Sequence, residues 1–190
     1  MKDVMIDFET LGNGTNKCVC QVGAVYFDNI TGELGPQLKL DIDAGSHVKL
    51  GGRLDADTVY WWLQQSDAAR ASIARSPTTL DVTTAMVTLN DFLKDASRIW
   101  SHATFDFVTL CETMKQCGVK PSFSYKSGLD LRTLTYLAGT SVSAHQREGV
   151  HHDGLADAIF QVKYAVAALN KIKGDKKVLN FVSKILDDTK

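Results

Sequence analysis

The chain has 190 residues, of which 44% are hydrophobic and 23% are charged. This size and composition suit one compact domain over residues 1–190 and leave too little chain for two sizeable cores. The formal net charge of −1 excludes a polycation built to coat nucleic acid with its whole surface.

The first predicted strand, residues 5–10, ends by presenting two acids. Side chains alternate along a strand, so Asp7 and Glu9 point to one face while Ile6 and Phe8 point to the other. Neighbouring carboxylates repel one another and raise each other's pKa, and a divalent cation between them removes that repulsion. The alternative is a half-exposed strand whose polar face happens to carry two acids.

Two more strands follow, and short turns separate the three. The turn-rich segments are residues 11–16 and 28–32, and alternating or apolar patterns predict strands over residues 20–27 and 38–42. Strands joined by such short turns predict an antiparallel meander at the start of the sheet.

The periodicity then changes to that of helices alternating with strands. We expect a helix from Asp57 to Arg75 that Ser76 and Pro77 end, and then a helix that Thr79 caps. The remaining predicted elements are a strand over 98–101, a helix over 105–117, a strand over 127–130, a short helix over 132–138, a polar loop over 144–149, and helices over 154–172 and 176–186. The order predicts an α/β fold in which helices cover both faces of a mixed sheet.

Two further acids stand at the starts of predicted helices. Asp106 follows the strand over 98–101, and if that strand neighbours the first one, Asp106 lies beside Asp7. Small residues at 154, 156 and 158 surround Asp157, and they let its helix approach another element closely. Each acid could equally be a helix-stabilising residue of the first turn. His152 precedes Asp157 in an approach loop, and a lone His is more often a surface or core residue.

Cysteine content and hydropathy bear on the compartment. Four cysteines form no disulfide framework in a chain of this length, and the Cys18–Cys20 pair lacks a second pair at zinc-site spacing. Small buried thiols in a reducing compartment explain them best. No stretch approaches the ~20 apolar residues of a membrane span. We therefore expect a cytoplasmic protein without membrane contact.

Three motifs together resemble the DEDDh family of 3′–5′ exonucleases, the DnaQ-like branch of the ribonuclease H-like superfamily. They are D-x-E-T at 7–10, F-D at 105–106 and H-x-x-x-x-D at 152–157, and residues 21–25 also look like the second strand of that family. A His five residues before the last acid is typical of the DEDDh branch. Residues 58–65, which include Trp61 and Trp62, resemble a compact phage and bacterial subgroup of exoribonuclease-like proteins.

The resemblance implies a ribonuclease H-like fold and a phosphodiesterase site with two ions, Mg²⁺ or Mn²⁺. By this resemblance Asp7, Glu9, Asp106 and Asp157 are the metal ligands, and His152 is the general base for the attacking water. Further candidates contact the substrate: Thr10, Leu11, Gly12, Trp61, Trp62, Gln65, His102 and Phe105. Many relatives carry Asn where this chain has His102, which alters a substrate contact or replaces one polar group by another. A Trp pair in a helix is also explained by one core residue and one at its edge.

The expected partner is RNA or DNA with a free 3′ end, and the expected product is a nucleoside 5′-monophosphate. Residues 115–190 carry 12 Lys and Arg against seven Asp and Glu, which fits contact with phosphates or an ordinary solvated surface. The Trp pair favours single-stranded RNA or a 3′ overhang, and DNA is the second candidate. The sequence is also compatible with a catalytically silent nucleic-acid-binding module and with an endonuclease of the same superfamily. The family often pairs its subunits, so we expect a homodimer.

Overall fold

A five-stranded mixed sheet forms the centre of the computed structural model, which describes residues 1–174. The strands are β1 (Asp3–Thr10), β2 (Val19–Phe27), β3 (Leu34–Asp41), β4 (Arg98–Ser101) and β5 (Gly128–Asp130). Their spatial order is β3-β2-β1-β4-β5, with antiparallel pairing among the first three strands and parallel pairing of β1 with β4 and of β4 with β5. The predicted meander followed by parallel strands is therefore confirmed.

Seven α-helices connect and cover the strands of this described part. They are α1 (Ala44–Lys49), α2 (Ala56–Leu63), α3 (Asp67–Ser72), α4 (Val82–Phe92), α5 (Asp106–Gln116), α6 (Leu131–Ala138) and α7 (Gly154–Gly174). None of these helices combines the length and the apolar character that crossing a bilayer requires.

Strand β1 divides its side chains between two hydrophobic layers. Ile6 and Phe8 pack in one layer with apolar residues of α4 and α5, and Met5 packs in the other with residues of α6 and α7. Each large apolar side chain buried in this way contributes about 1.5–3 kcal/mol. The alternation leaves Asp7 and Glu9 on the α7 face, as the sequence predicts, so the two acids lie under the start of α7.

Helix α7 reaches the sheet through a contact between glycines. Gly154, its first residue, packs against Gly23 in the middle of β2, and Gly23 pairs with Asp7 across the β1–β2 ladder. The Gly154 amide also donates to Oε1 of the buried Gln21 at 2.7 Å. The close helix approach predicted from the small residues is therefore present, and it brings the first turn of α7 to the acids of β1.

Two helix predictions need correction. The segment 57–75 is two helices, because the Ser66 side chain accepts a hydrogen bond from the Ala69 amide at 3.2 Å and begins α3 after a turn. Thr79 does not cap α4: its hydroxyl accepts from the Ser76 amide, and Asp81 is the cap.

Helix α1 was not predicted from the sequence. Its six residues include Gly and Ser, which are poor helix formers, and contacts with distant parts of the chain hold it in place. Ser46 accepts from the Val82 amide at 2.9 Å, and His47 Nδ1 accepts from the Val19 amide at 3.0 Å. The helix predicted over 176–186 lies outside the described residues.

Candidate active site

Four buried acids from three separate elements meet at one end of the sheet. Asp7 and Glu9 come from β1, Asp106 is the first residue of α5, and Asp157 lies in the first turn of α7, and each is at most 8% exposed. One ligand atom from each of Asp7, Glu9 and Asp157 lies within 4.8 Å of the others. The same holds for Asp7, His102 and Asp106. Asp7 thus belongs to two neighbouring groups of side chains that could hold a metal ion.

Parallel pairing of β1 with β4 places Asp106 beside Asp7. Both strands end at the same edge of the sheet, and α5 starts a few residues after β4. The Phe8 amide donates to Asp106 Oδ1 at 3.0 Å, and the His102 amide donates to Oδ2 at 3.1 Å. These two hydrogen bonds fix the carboxylate between the strand and the turn that leads into the helix.

Asp157 has two partners in the loop that precedes α7. Arg147 Nη1 forms an ion pair with Asp157 Oδ1, and the His152 amide donates to Oδ2 at 3.3 Å. The loop therefore contacts both oxygens of a carboxylate that also faces Asp7 and Glu9.

Burial of several acids together shifts their protonation. Burial, followed by the charges of Asp106, Glu9 and Asp157, raises the pKa of Asp7 well above its ordinary value. Burial and the charges of Asp157 and Asp106 raise the pKa of Glu9 to about 8. Burial raises the pKa of Asp106 to about 7, against the hydrogen bonds from the Phe8 and His102 amides. The folded chain holds these carboxylates at an electrostatic cost that a cation among them would offset.

The donor set fits hard divalent cations. Apart from His102, the members of the two groups that share Asp7 offer carboxylate oxygens, the ligands that Mg²⁺ and Mn²⁺ prefer. Gln161 Nε2 donates to Asp7 Oδ1 at 2.5 Å, which orients that carboxylate. The Oε1 atom of Gln161 is buried and has no hydrogen-bond partner within residues 1–174. An unpaired acceptor at this depth indicates that the site is built to receive a further donor.

His152 lies at the rim of the acid cleft, held by its backbone and its ring. Its φ of 64° is left-handed, its carbonyl accepts from the Ser72 hydroxyl at 2.8 Å, and its ring stacks on His151 at 3.7 Å between centroids. Trp61 and Trp62 contact the ring edge-to-face, with centroid distances of 4.7 and 5.7 Å. Burial, followed by the neighbouring His151, lowers the pKa of His152. The imidazole is therefore poised to be neutral and to accept a proton.

A second cleft, of about 390 Å³, adjoins the acid cleft. Phe8, Glu9 and Phe105 line both clefts, and Trp61 and Trp62 belong to the second one. The acids thus stand at the end of an aromatic groove, an arrangement that suits a chain of stacked bases with one phosphate at the acids.

The two tryptophans differ in their surroundings. Trp62 is 4% exposed, and its indole Nε1 donates to the Thr10 carbonyl at 2.9 Å, which ties α2 to the end of β1. Trp61 is 41% exposed, so part of its side chain is open to solvent. Trp62 is therefore the buried member of the pair, and Trp61 is the member with exposed aromatic surface.

The other sequence-derived substrate candidates separate into two groups. Thr10, Gly12 and Phe105 line the aromatic groove, and His102 lines the acid cleft, where burial lowers its pKa to about 4. Leu11 and Gln65 are not among the lining residues of either cleft. The Gln65 side chain instead donates back to the Trp61 carbonyl at 2.9 Å.

Sequence reasoning missed four polar residues that line the acid cleft: Arg132, Arg147, Gln161 and Tyr164. Gln161 and Tyr164 follow Asp157 by four and seven positions and so share its helix face, a spacing that is readable in the sequence. Arg147 lies in the segment interpreted only as a polar loop, and no periodicity marks it.

Comparisons with known proteins agree with this geometry. Residues 2–169 match the family described as 3′-5′ exoribonuclease Rv2179c-like domain. An exodeoxyribonuclease of Enterobacteria phage T4 is 29% identical over 131 residues, which are 60% of this chain and 56% of that protein. The chain thus spans just over half the length of this relative.

Solved structures with the same fold include nucleases. Escherichia coli exonuclease I in complex with a dA16 oligonucleotide has a TM-score of 0.59 and 14% identity, with 95% of this chain and 45% of that chain covered. The nuclease domain of 3′hExo, described as a DEDDh family member bound to rAMP, has a TM-score of 0.55 and 14% identity. That likeness covers 88% of this chain and 91% of the domain. The ribonuclease H-like fold expected from the sequence is confirmed.

Proposed function

Because the chain belongs to the 3′-5′ exoribonuclease Rv2179c-like domain family, we propose that it is a 3′–5′ exonuclease that releases nucleoside 5′-monophosphates. The preferred substrate in this proposal is single-stranded RNA or a 3′ overhang. The observation that carries the proposal is the meeting of Asp7, Glu9, Asp106 and Asp157, with two ligand groups that share Asp7. A fold held together by packing alone gains nothing from burying four acids in one place.

Hydrolysis of a phosphodiester requires an activated water and a stabilised leaving oxygen. Two divalent cations, Mg²⁺ or Mn²⁺, supply both when bound. In the proposal Asp7, Glu9 and Asp157 would hold one ion, and Asp7 and Asp106 would hold the other. Gln161 keeps the Asp7 carboxylate in one orientation through its hydrogen bond.

His152 takes the proton from the attacking water. Its lowered pKa leaves the ring neutral near pH 7, which a general base requires. The ring lies at the cleft rim and contacts Trp61, so a base seated on Trp61 would also border the imidazole. Substrate binding and proton transfer would thus meet at one point.

The aromatic groove provides the contacts to the 3′ end. We assign base stacking to Trp61, since Trp62 is buried, and contact with the terminal sugar to the backbone near Thr10 and Gly12. Phe105 faces both clefts and would pack beside the terminal nucleotide. Leu11 stays a candidate wedge against the terminal base at the edge of the groove, and Gln65 acts there only through Trp61.

DNA is the second candidate substrate. The similarity to the phage exodeoxyribonuclease favours it, whereas the description of the matching family favours RNA. A protein distinguishes the two through contacts with the 2′-hydroxyl group. His102, which stands where many relatives have Asn, is one polar side chain in the cleft that could make such a contact.

One assay tests the proposal. RNA and DNA oligomers with a 5′ label, single- and double-stranded, are incubated with Mg²⁺, with Mn²⁺ or with a chelator. We expect a ladder that shortens from the 3′ end, faster on RNA, and no cleavage with chelator. Cleavage of a circular single strand would indicate an endonuclease. Metal binding without any cleavage would indicate a silent binding module.

We also propose that residues 1–190 form one domain that acts in the cytoplasm as a homodimer. The four cysteines are all free, which fits a reducing compartment. Tyr136 and Leu137 of α6 are 84% and 69% exposed, and such apolar surface suits contact with a second copy. Light scattering on the purified protein measures the oligomeric state directly.

A further inference from the structure

Arg147 is paired with Asp157, one of the proposed metal ligands, although the proposed mechanism gives Arg147 no role. Its guanidinium forms an ion pair with Asp157 Oδ1 inside the acid cleft. We propose that Arg147 is a counter-cation for Asp157 that a divalent cation displaces, and that the released guanidinium then binds a phosphate of the substrate. Binding of a substrate phosphate by Arg147 rests on the proposed function, whereas displacement of Arg147 by a metal ion does not.

Two contacts hold the guanidinium at the cleft wall. One nitrogen contacts Asp157, and the carbon of the group lies 4.3 Å from the centroid of the buried Phe160 ring. The guanidinium therefore lies over an aromatic ring while one of its nitrogens contacts a carboxylate. Asp157 and Phe160 are three residues apart on α7, so the two contacts come from one helix face.

Occupation of Asp157 by Arg147 competes with occupation by a metal ion. Oδ1 accepts from Arg147 and Oδ2 from the His152 amide, so each oxygen of the carboxylate already has a donor. Asp157 also belongs to the ligand group with Asp7 and Glu9. A cation that binds this group must repel or displace the guanidinium, because two positive charges cannot share one carboxylate oxygen without cost.

Displacement leaves Arg147 where a phosphate would arrive. The Phe160 contact does not involve Asp157, so the group keeps one anchor after the ion pair is broken. A guanidinium has five N–H donors in a plane that matches phosphate oxygens, and only one of them is used by Asp157. Arg132 lines the same cleft, and its side chain makes no hydrogen bond or ion pair within residues 1–174. The cleft thus offers a second cation for the same anion.

The first experiment measures Mn²⁺ binding by titration calorimetry without any nucleic acid. Arg147→Met removes the competing charge and should lower the apparent dissociation constant for Mn²⁺ about tenfold. A tenfold change corresponds to the usual contribution of one charged hydrogen bond. Arg75→Met is the matched control. Arg75 pairs with Asp43, so this substitution removes the same charge at a place away from the four acids. An equal decrease of the dissociation constant in both variants, or no decrease in Arg147→Met, would overturn the proposal that the metal ion displaces Arg147.

The second experiment measures turnover of a labelled RNA oligomer at saturating Mn²⁺. Arg147→Met should lower kcat/KM about tenfold or more, although it binds the ion more tightly. Arg147→Lys keeps the charge but lacks the planar guanidinium. Its kcat/KM should therefore lie between those of the wild type and Arg147→Met, and its Mn²⁺ affinity should stay near that of the wild type. Unchanged kcat/KM in Arg147→Met overturns the phosphate role. If the wild type cleaves nothing, the proposed function fails, and the calorimetry still decides the displacement.

Discussion

Gly23 and Gly154 are in backbone contact across the interface between β2 and α7. A methyl group built on Gly23 would lie 2.1 Å from the carbonyl carbon of Gly154, and one built on Gly154 would lie 2.9 Å from the Gly23 nitrogen. Gly23 is also the β-ladder partner of Asp7. The contact therefore sets the distance between the strand that carries two of the acids and the helix that carries a third.

Gly23→Ala should push α7 away from the sheet. Forcing a methyl group into backbone is worse than ordinary overpacking, which costs about 1–3 kcal/mol, so we expect at least that loss of unfolding free energy in urea. Turnover should fall by more than the loss of unfolding free energy alone would cause, because Asp157 moves with the helix. Gly14→Ala is the control, since nothing lies within 4 Å of the added methyl group. Similar stability of the two variants would contradict the packing argument.

Asp7→Asn should separate metal binding from folding. The asparagine keeps an oxygen for Gln161 and removes an ionisable group whose charged form is disfavoured by burial and the neighbouring acids, so the metal-free melting temperature should rise. The increase in melting temperature on adding Mn²⁺ should largely disappear, and turnover should fall about 10³-fold or more. A variant that turns over at near wild-type rate would remove Asp7 from the mechanism.

His152→Ala tests the general base. Loss of a positioned base lowers kcat by about 10²–10⁴-fold, and the Mn²⁺-induced rise in melting temperature should persist because the four acids remain. His151→Ala makes a matched comparison, since this ring is exposed although it stacks on His152. If the two variants lose activity equally, the proton-transfer role cannot be assigned to His152.

The adjacent tryptophans should respond differently to truncation. Trp61→Ala should remove about 1–3 kcal/mol of stacking and raise KM about 5- to 150-fold on a short single strand, with little change in stability. Trp62→Ala should lower the unfolding free energy by about 3–5 kcal/mol, because it empties a buried site and frees the Thr10 carbonyl. An unchanged KM in Trp61→Ala would exclude base stacking by that residue.

Asp3 provides a pH-dependent contribution to stability far from the acids. Burial alone would raise its pKa, but hydrogen bonds from Arg98 and Trp100 and the Arg98 charge lower it below 3.8. A lowered pKa gives stability that is present above pH 3.8 and is lost as the pH falls through the folded value. Asp3→Asn should therefore cost about 2 kcal/mol at pH 7 and progressively less below pH 3.8 in chemical unfolding. A constant difference between the variants at every pH would refute the ion pair.

Much of the sheet was readable because strand patterns are local. The alternation in β1 assigned Asp7 and Glu9 to one face, and the strand over 98–101 matches β4 residue for residue. The motifs also located Asp106 and Asp157 at helix starts, which the structure confirms. These features depend on periodicity and capping within a few residues, which a single sequence displays.

What the sequence did not predict depends on contacts between distant segments. Helix α1 has a weak helical sequence and is held by Ser46 and His47 through bonds to residues about 30 positions away. Arg147 gains its place only because α7 supplies both Asp157 and Phe160. The choice between Trp61 and Trp62 follows from the position of Thr10, 52 residues before Trp62. No local pattern encodes such partners.

The wide spacing of the acids along the chain also bears on biosynthesis. Asp7 and Asp157 are separated by 150 positions, and α7 must dock before they meet. A nascent polypeptide on the ribosome that has not yet extended past residue 157 holds three of the carboxylates without the last. Translation past residue 157 and docking of α7 therefore precede assembly of the full set of four acids.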